Sequence, residues 1–568
     1  MYWFTNSPRN LLSYVPWIPN LLYYQKFDPC NDAGAKNVVT FSVAIKCYNS
    51  FPLTYSQEKD TLDTLLAASD LDVQGRNIKD TLNKIKEENH LTAHGFHKDL
   101  TITYNVMLDI NYRYISRCFS TFEFVHPFPI EMVSNKFRIA KNFRHHPKLM
   151  EEWGDYEAKV QKYAGSEIIE INGIIALKFL EEYSQTHIGS TSDPQARLAL
   201  TLARAKFKHG KWVIEEGAFS RTRIAPEKPY LELTIIYMNE PIKIKAPYLA
   251  ISPKNFDSRV SFYSQNCLSR RPSPSSYITE FLIPKSHLLS WNNQMSTHFH
   301  SRTGILKIQK FKKENHASQV EDIISGLKRI KQENITALIL DLSDTTGDGY
   351  CMTQLLMQIL FNKGIDIWSH FRHSSALDEL IKHTKSNSLM NTNFVFKEKC
   401  GTIAIFLNSG FYYHDMSKFS YTPPLQEQCP RDVGFIPGFV PDKIAVMTNG
   451  ICFGACALFV SEVSSLPQVE TFKVGGMEKS PDLLASSPDY DKTTLAQVDK
   501  YTGIMSGISN HRLPNLFDSV VLYLPVREFI CKPGTVNRSR SLLANHHIMP
   551  LATNEPSAAW DWIARSML

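Results

Sequence analysis

Three features are missing from this sequence of 568 residues, and each absence argues against a class of protein or site. It has no run of about 18 or more uncharged apolar residues, so a membrane-spanning helix is not expected. It has no CxxC pair and no Cys/His group with zinc-ligand spacing, so neither a metal nor a cofactor is expected. It has no dense basic patch, because the net charge of +6 is spread over the chain and basic clusters are as short as Lys310–Lys313. Nucleic acid is therefore not an expected partner.

Different features of the sequence point to different cellular compartments. Residues 1–24 are aromatic and apolar, but they lack a basic start, a continuous apolar core and a small-residue cleavage site, so they do not predict a signal peptide. The ten cysteines are an even number, and two glycosylation sequons begin at Asn334 and Asn537. These two features favour the secretory pathway. The localisation stays open between the two interpretations.

The chain is too long for a single hydrophobic core, and about three domains are expected. A hydrophobic content of 43% with 21% charged residues is typical of a globular protein. The fold class predicted is α/β and multidomain. The segments predicted are an irregular N-terminal part (1–55), a helix-and-strand domain (56–150), a β-rich module (151–255), a linker (256–295) and an α/β core with a C-terminal tail (296–568).

Apolar spacing predicts helices in the N-terminal domain. Ile78, Leu82 and Ile85 recur at helical intervals between Lys and Glu residues. A helix is expected to end near His94-Gly95, and the alternating residues from Leu100 predict a strand. In the irregular segment before it, a disulfide between Cys30 and Cys47 is expected.

The β-rich module is predicted from a turn signal. A strand, an Asn172-Gly173 turn and a helix from Ile175 follow one another, and paired strands are expected around residues 211–214 and 231–237. This order is typical of a PDZ-like peptide-groove domain.

The core is predicted from alternating strands and helices. A strand from Gly304 precedes a helical apolar stripe between Val320 and Ile330, a buried strand at 337–342 and a helix at 353–361. Further core strands are expected at 402–408 and 443–448, and a final strand at 520–525. A βαβα order predicts a parallel sheet.

The stretch from residue 442 to residue 462 predicts a catalytic elbow. A buried strand reaches an Asn449-Gly450 turn, then small residues from Cys452 to Cys456, then an apolar helix. A sharp strand-to-helix turn exposes its apical side chain in front of helix N–H groups, which is how nucleophile elbows work. Position 454 is Gly, where such an elbow requires Ser or Cys.

Three stretches, 93–97 (AHGFH), 338–349 (LILDLSDTTGDG) and 444–459 (IAVMTNGICFGACALF), together resemble a known family. The sequence resembles the C-terminal processing serine peptidases (peptidase S41), in the branch that includes chlamydial protease-like activity factor and fungal homologues. The resemblance implies a ClpP/crotonase-like α/β peptidase core, a PDZ-like module and a peptide or protein substrate. For the fungal relatives it implies processing of ribosomally made peptide toxin precursors.

The resemblance also implies residue roles. His94 would be the general base, Gly454 stands at the nucleophile position, and Glu555 near the C-terminus would orient the histidine. Backbone N–H groups at Gly347, Gly349 and Ala455 would stabilise an oxyanion.

The motif departs from the family at two places. The family's asparagine and glycine run is replaced by Thr345-Thr346-Gly347-Asp348, and the Asp348 carboxylate has the wrong charge beside an oxyanion. A missing triad nucleophile costs roughly 10^6 in rate. Cys452 or Cys456 as a thiol nucleophile, or Lys479 as a dyad lysine, are alternatives. Two functions stay open: a serine-type endopeptidase, and an inactive homologue that binds peptides. The oligomeric state is open.

Overall fold

The computed structural model describes residues 28–69, 72, 77–141, 145–208, 211–253, 255–268, 287–291, 295–300, 302–312, 316–370, 372, 412–413, 420–421, 425–426, 429, 443–477, 483–485, 490–494, 520–530, 542–548 and 556–567. Within these ranges, none of the helices has both the length and the apolar character needed to cross a bilayer. The predicted strand at 402–408 and most of the predicted linker lie outside these residues.

The N-terminal part, up to residue 139, contains five helices and five short strands among its described residues. The helices are α1 Asn31–Ala35, α2 Phe41–Asn49, α3 Tyr55–Ala68, α4 Lys79–Glu87 and α5 Ala93–Asn105. The strands are β1 Val38–Thr40, β2 Arg113–Ser116, β3 Glu123–Val125, β4 Ile130–Val133 and β5 Lys136–Ile139.

Three expectations for this part are wrong. The helix expected to end near His94-Gly95 ends at Glu87, and α5 begins at Ala93. Helices α1 and α2 occupy residues predicted to be irregular. The predicted strand at Leu100 lies in the middle of α5. Thr92 caps this helix, because its Oγ1 accepts a hydrogen bond from the N–H of Gly95 at 3.1 Å. Phe96, Leu100 and Tyr104 then recur every four residues on one buried face, so the helical period prevails over the short polar–apolar alternation.

Residues 147–268 form the second part. The helices are α6 Pro147–Trp153, α7 Tyr156–Tyr163, α8 Ala176–Tyr183, α9 Pro194–Thr201, α10 Gly217–Ser220 and α11 Arg259–Phe262. The strands are β6 Glu167–Ile171, β7 Ile174–Ile175, β8 Arg204–Lys208, β9 Lys211–Glu215, β10 Arg221–Thr222, β11 Tyr230–Tyr237, β12 Glu240–Pro247 and β13 Leu249–Ile251.

The predicted strand–turn–helix of this part is confirmed. Asn172 and Gly173, both with positive φ, form the turn between β6 and β7, and α8 follows. The antiparallel sheet has the order β12-β11-β6-β5-β4, with β7 beside β6. Two of its strands come from residues 130–139, so the sheet crosses the boundary predicted at residue 151. The strand at 211–215 pairs with β8, and the strand at 230–237 pairs with β12 and β6.

The third part contains the core. Its described helices are α12 His316–Gln332, α13 Tyr350–Phe361, α14 Ala455–Val463 and α15 Pro556–Met567. Its described strands are β14 His287–Trp291, β15 Met295–His300, β16 Thr303–Ile308, β17 Lys310–Phe311, β18 Ala337–Asp341, β19 Thr346–Gly347, β20 Trp368–His370, β21 Tyr412–Tyr413, β22 Ser420–Tyr421, β23 Leu425–Gln426, β24 Lys443–Thr448, β25 Val469–Val474, β26 Tyr490–Thr494, β27 Val520–Ile530 and β28 His546–Ile548.

The predicted parallel core is confirmed. One sheet has the order β14-β15-β16-β18-β24-β25-β28, and its strands from β16 onward are parallel. Strand β18 is buried along its whole length, as a central parallel strand must be, because helices cover both faces. The strand predicted at 520–525 forms as part of β27, but in a separate antiparallel sheet with β2, β20 and β26.

The C-terminal helix α15 packs on the core sheet through a buried polar network. Trp560 is fully buried, and its Nε1–H donates to Asp341 Oδ2 at 3.1 Å. The other carboxylate oxygen of Asp341 accepts from Lys307 Nζ at 3.1 Å. A buried charge is stable only when it is paired and hydrogen-bonded, so this helix completes the environment at the ends of β16 and β18.

Four disulfides join described residues. They are Cys30–Cys47, which confirms the expected pair, and Cys118–Cys267, Cys351–Cys429 and Cys452–Cys456. Closing long loops restricts the unfolded chain, which is the main route by which such bonds stabilise a fold.

Buried histidines make the stability of this fold sensitive to mild acid. Burial is the main cause that lowers the pKa of six histidines to about 3 or about 4 (His94, His97, His126, His145, His187 and His298). In the unfolded chain a histidine titrates near 6.5, so the unfolded state takes up protons first as the pH falls.

We therefore expect the free energy of unfolding to be fully retained above about pH 6.5 and to fall below it, by up to about 1.4 kcal/mol per pH unit for each such histidine. Denaturant unfolding between pH 7 and 5 measures this slope in a window above most carboxylate titration. A flat stability profile over that window would contradict the buried, neutral state of these side chains.

Candidate active site

The predicted elbow forms at the carboxyl end of β24. Asn449 and Gly450 make the turn, with Gly450 at a φ of 80°. Helix α14 begins at Ala455, and the residue before it, Gly454, has a φ of 66° and a ψ of −129°. A side chain on residue 454 would be placed at the apex of this turn. The backbone of an elbow is therefore present, and the hydroxyl or thiol group is not.

The loop after β18 lies directly against the elbow. Thr345 and Cys452 form a parallel bridge, and the N–H of Phe453 donates to the carbonyl of Thr345 at 3.1 Å. Asn449 Oδ1 accepts from the N–H of Asp344 at 3.0 Å and from that of Ile451 at 3.1 Å. The structure thus brings the two motifs together, although about 105 residues separate them.

Two of the predicted oxyanion glycines have a packing reason to be glycine. A Cβ on Gly347, whose φ is 146°, would lie 2.0 Å from the Phe311 carbonyl oxygen. A Cβ on Gly349 would lie 2.0 Å from the Lys312 carbonyl oxygen. Close backbone approach therefore requires glycine at both positions, whatever their role in chemistry.

The N–H of Ala455, the third predicted oxyanion donor, is at the start of a helix. It is the first residue of α14, and the first N–H groups of a helix have no partner within the helix. Its carbonyl oxygen accepts from Thr353 Oγ1 at 3.1 Å, which ties the elbow to α13. The half-buried Asp348 lies between Gly347 and Gly349 in the adjacent loop. The loop that contains both predicted oxyanion glycines therefore also carries a carboxylate.

Cys452 and Cys456 are bonded to each other across the elbow. A thiol nucleophile at either position would first require reduction of this bond, because only the thiolate is nucleophilic. In the structure the disulfide instead fixes the loop before α14 to the first turn of that helix.

His94 lies near the start of α5 and is 8% exposed. Its Nδ1–H donates to Asn49 Oδ1 at 3.1 Å, and its ring lies 4.8 Å from Tyr48 and 5.7 Å from Phe119. Donation from Nδ1 leaves Nε2 as the acceptor, which is the tautomer that a general base requires. Asn49 was not predicted as a site residue, because its distance of 45 positions along the chain carries no local signal.

The electrostatic environment of His94 makes it a weak base. Burial lowers its pKa to about 4, and the positive charge of Lys98 acts in the same direction. A catalytic base works best when its pKa is near the working pH. Asn49 is uncharged, so it orients the ring without stabilising an imidazolium ion. The described hydrogen bonds and ring contacts of His94 involve the N-terminal part, and none of them involves residues of the elbow.

Two other predicted residues, Glu555 and Lys479, lie outside the described residues. Helix α15 begins directly after Glu555, at Pro556. Strand β25 and the Gly475-Gly476 turn end shortly before Lys479.

Buried ion pairs hold the second part of the chain against the strand ends of the core. Lys473 Nζ lies 3.2 Å from Asp193 Oδ2, and both side chains are at most 2% exposed. Arg204 Nε lies 3.1 Å from Asp344 Oδ1 in the loop that follows β18. These pairs leave no local signal in the sequence, because 280 and 140 residues separate their members.

A cavity of about 60 Å³ lies between these pairs and the strand ends, and Gln195, Lys307, Asp341 and Asn449 contribute to its lining. Ligand pockets measure roughly 300–1,000 Å³. This cavity is therefore far too small for a peptide. Its lining is mainly apolar, and polar residues are the minority.

Comparison with known proteins finds matches among solved structures. No family model matches the sequence, and no curated protein matches it. Among solved structures, mature CPAF complexed with lactacystin aligns over 90% of this chain and 97% of its own, with 11% identity and a TM-score of 0.49. The photosystem II D1 C-terminal processing protease aligns over 88% and 94%, with 8% identity and a TM-score of 0.35.

The backbone conformation of residue 454 leads to a prediction about the free energy of unfolding. Because its φ is 66°, any side chain there is strained, and we expect Gly454→Ala to lower the free energy of unfolding by roughly 1–3 kcal/mol. Chemical denaturation measures the change. Gly364→Ala is the matched control, because a Cβ at that position meets no atom within 4 Å. Equal effects at the two positions would argue against the strained turn.

The buried Asp193–Lys473 pair leads to a second prediction about the free energy of unfolding. Asp193→Asn keeps an oxygen that can accept from the N–H of Gln195 at the start of α9, but it leaves the Lys473 charge unpaired. We expect a loss of about 3–5 kcal/mol in the free energy of unfolding, as for other broken buried pairs. Glu182→Gln, which breaks the exposed pair with Lys178, should have little effect. A small effect at Asp193 would mean that water reaches Lys473.

Proposed function

We propose that this chain is a serine-peptidase homologue that binds peptides or unfolded protein segments and does not cleave them. The observation that carries the proposal is Gly454, which stands at the apex of an otherwise formed elbow. An acyl-enzyme needs a nucleophilic side-chain atom, and glycine has none. The resemblance of three sequence motifs to the C-terminal processing peptidases supplies the substrate class.

Three further features support the absence of cleavage. The nearest sulfur atoms, on Cys452 and Cys456, are held in a disulfide. His94 has a pKa lowered to about 4 and an uncharged partner. Asp348 lies in the loop that would stabilise an oxyanion, where its charge opposes a developing negative charge. Each feature weakens a different step of acyl transfer.

A precursor peptide, of the ribosomally made toxin class that the fungal resemblance implies, is the ligand we propose. In this function the chain would hold or present the precursor, and another protein would cut it. An extended peptide can pair with a sheet edge, and main-chain hydrogen bonds then provide much of the affinity. Strand β12 is at one end of the antiparallel sheet order, which makes it an edge of that kind.

The proposal predicts that the purified chain does not react with a fluorophosphonate serine probe and leaves fluorescent casein intact. Gly454→Ser should restore a nucleophile and produce slow cleavage of casein, and the double variant Gly454→Ser with His94→Ala should lose it again. Gly454→Ala controls for backbone strain, since it carries a Cβ without a hydroxyl. Probe labelling of the unaltered chain would refute the proposal directly.

A further inference from the structure

A histidine and three carboxylates converge between helices α3, α4 and α5, away from the elbow. His90 lies in the connection between α4 and α5, Glu88 directly follows the last residue of α4, Asp99 is on α5 and Glu58 is on α3. His90 Nε2 lies 3.0 Å from Asp99 Oδ2 and 3.6 Å from Glu88 Oε2. On the other side of the ring, His90 Nδ1 lies 3.4 Å from Glu58 Oε1.

The imidazole is buried, and its second nitrogen lacks a hydrogen bond. The His90 side chain is 6% exposed, and its ring packs edge-on against Phe96 at 5.4 Å. Among the residues that the structure describes, neither His90 Nδ1 nor the buried Glu58 Oε1 that faces it has a hydrogen-bond partner. Even a protonated imidazole would balance only one of the three carboxylates. The negative charge of this cluster therefore favours an additional cation.

The spacing of the ligand atoms is close to the spacing around a tetrahedral ion. With metal–ligand bonds of about 2.0–2.2 Å, two ligand atoms on a tetrahedral Zn²⁺ lie about 3.3–3.6 Å apart. The distance from His90 Nε2 to Glu88 Oε2, 3.6 Å, is at the upper limit of this range. The distance to Asp99 Oδ2, 3.0 Å, is a hydrogen-bond distance below the range, so this carboxylate would move outward slightly when an ion binds. One donor atom from each of Glu88, His90 and Asp99 lies within 4.8 Å of the other two.

We propose that Glu88, His90 and Asp99 bind a divalent cation of the Zn²⁺ class, with water in the fourth position. Glu88 and Asp99 are 58% and 43% exposed, so the site opens to solvent and an ion can enter. With an ion bound, the ring of His90 turns so that Nε2 faces the metal. Glu58 then accepts a hydrogen bond from Nδ1–H and fixes the ring in that orientation. A carboxylate behind a ligating histidine is the usual arrangement at zinc sites.

The proposed ion would connect three helices. It joins the end of α4 to α5, and through His90 and Glu58 it reaches α3. Helix α5 also carries His94, five residues before Asp99, so the ion would fix the helix on which the candidate base is mounted. This inference stands independently of the function proposed above, because it depends only on the cluster and its charge.

Isothermal titration of Zn²⁺ into the full chain, after treatment with EDTA and buffer exchange, tests the site. We expect one equivalent to bind in the unaltered chain, and this binding to be lost in His90→Ala and in the exposed Asp99→Asn, which perturbs the fold less. Glu58→Gln should lower the affinity by about 10–100-fold without abolishing it, as changes behind a ligand do. Circular dichroism checks that each variant is folded.

His546→Ala is the matched control. His546 also lies beside a carboxylate, at 3.2 Å from Glu470, but within the described residues this is its one acidic partner, and its side chain is 40% exposed. Its removal should leave the one-equivalent binding unchanged. Replacing Zn²⁺ by Co²⁺ should produce the visible absorption of a tetrahedral complex, and His90→Ala should abolish it. Equal binding by the unaltered chain and His90→Ala, or no binding by either, would overturn the proposal and leave an ion-paired cluster only.

Discussion

The buried ion pair between Asp193 and Lys473 is the constraint on which the site region depends. It joins the start of α9 to a strand next to the elbow strand, and it also determines the turn. A Cβ on Gly450 would lie 2.2 Å from Lys473 Nζ and 3.0 Å from Asp193 Oδ2, so only glycine fits there. Placing two charges in the interior carries a large desolvation cost, which a close pairing and a further bond from Lys473 to the Leu483 carbonyl offset. The elbow therefore has its shape because α9 and β25, which are far apart in the sequence, meet at its turn.

The backbone shape of the elbow and its capacity for catalysis depend on different groups. The shape comes from the turn at Gly450, the contact between Thr345 and Cys452 and the Cys452–Cys456 disulfide, and none of these involves the side chain of residue 454. Chemistry depends on that one side chain. An elbow of this shape can thus persist without a catalytic reaction, and the proposed binding function needs only the shape.

The sequence predicted the parts of this fold that local periodicity determines. Strands β18 and β24 and helix α12 were predicted because each contains one uninterrupted apolar pattern. The strand expected at Leu100 was wrong, because five alternating residues cannot outweigh a capped helix with a buried face. The partner of His94, Asn49, and the carboxylates around His90 could not be predicted, since they come from separate helices and converge only after tertiary packing. Spacing rules for zinc ligands mainly describe Cys and His motifs, whereas two of the three proposed ligands, Glu88 and Asp99, are carboxylates.

The identity of residue 454 also affects the conformational strain of the backbone. A φ of 66° costs a residue with a side chain roughly 1–3 kcal/mol, a strain that an active peptidase tolerates in return for an exposed hydroxyl. Glycine removes that strain at the same position and keeps the turn. Any other residue at position 454 that lacks a nucleophilic atom would retain the strain and have no catalytic use. Once binding alone is the function, glycine is therefore the residue that this backbone favours most, and its presence is physically consistent with an elbow that is retained for its shape.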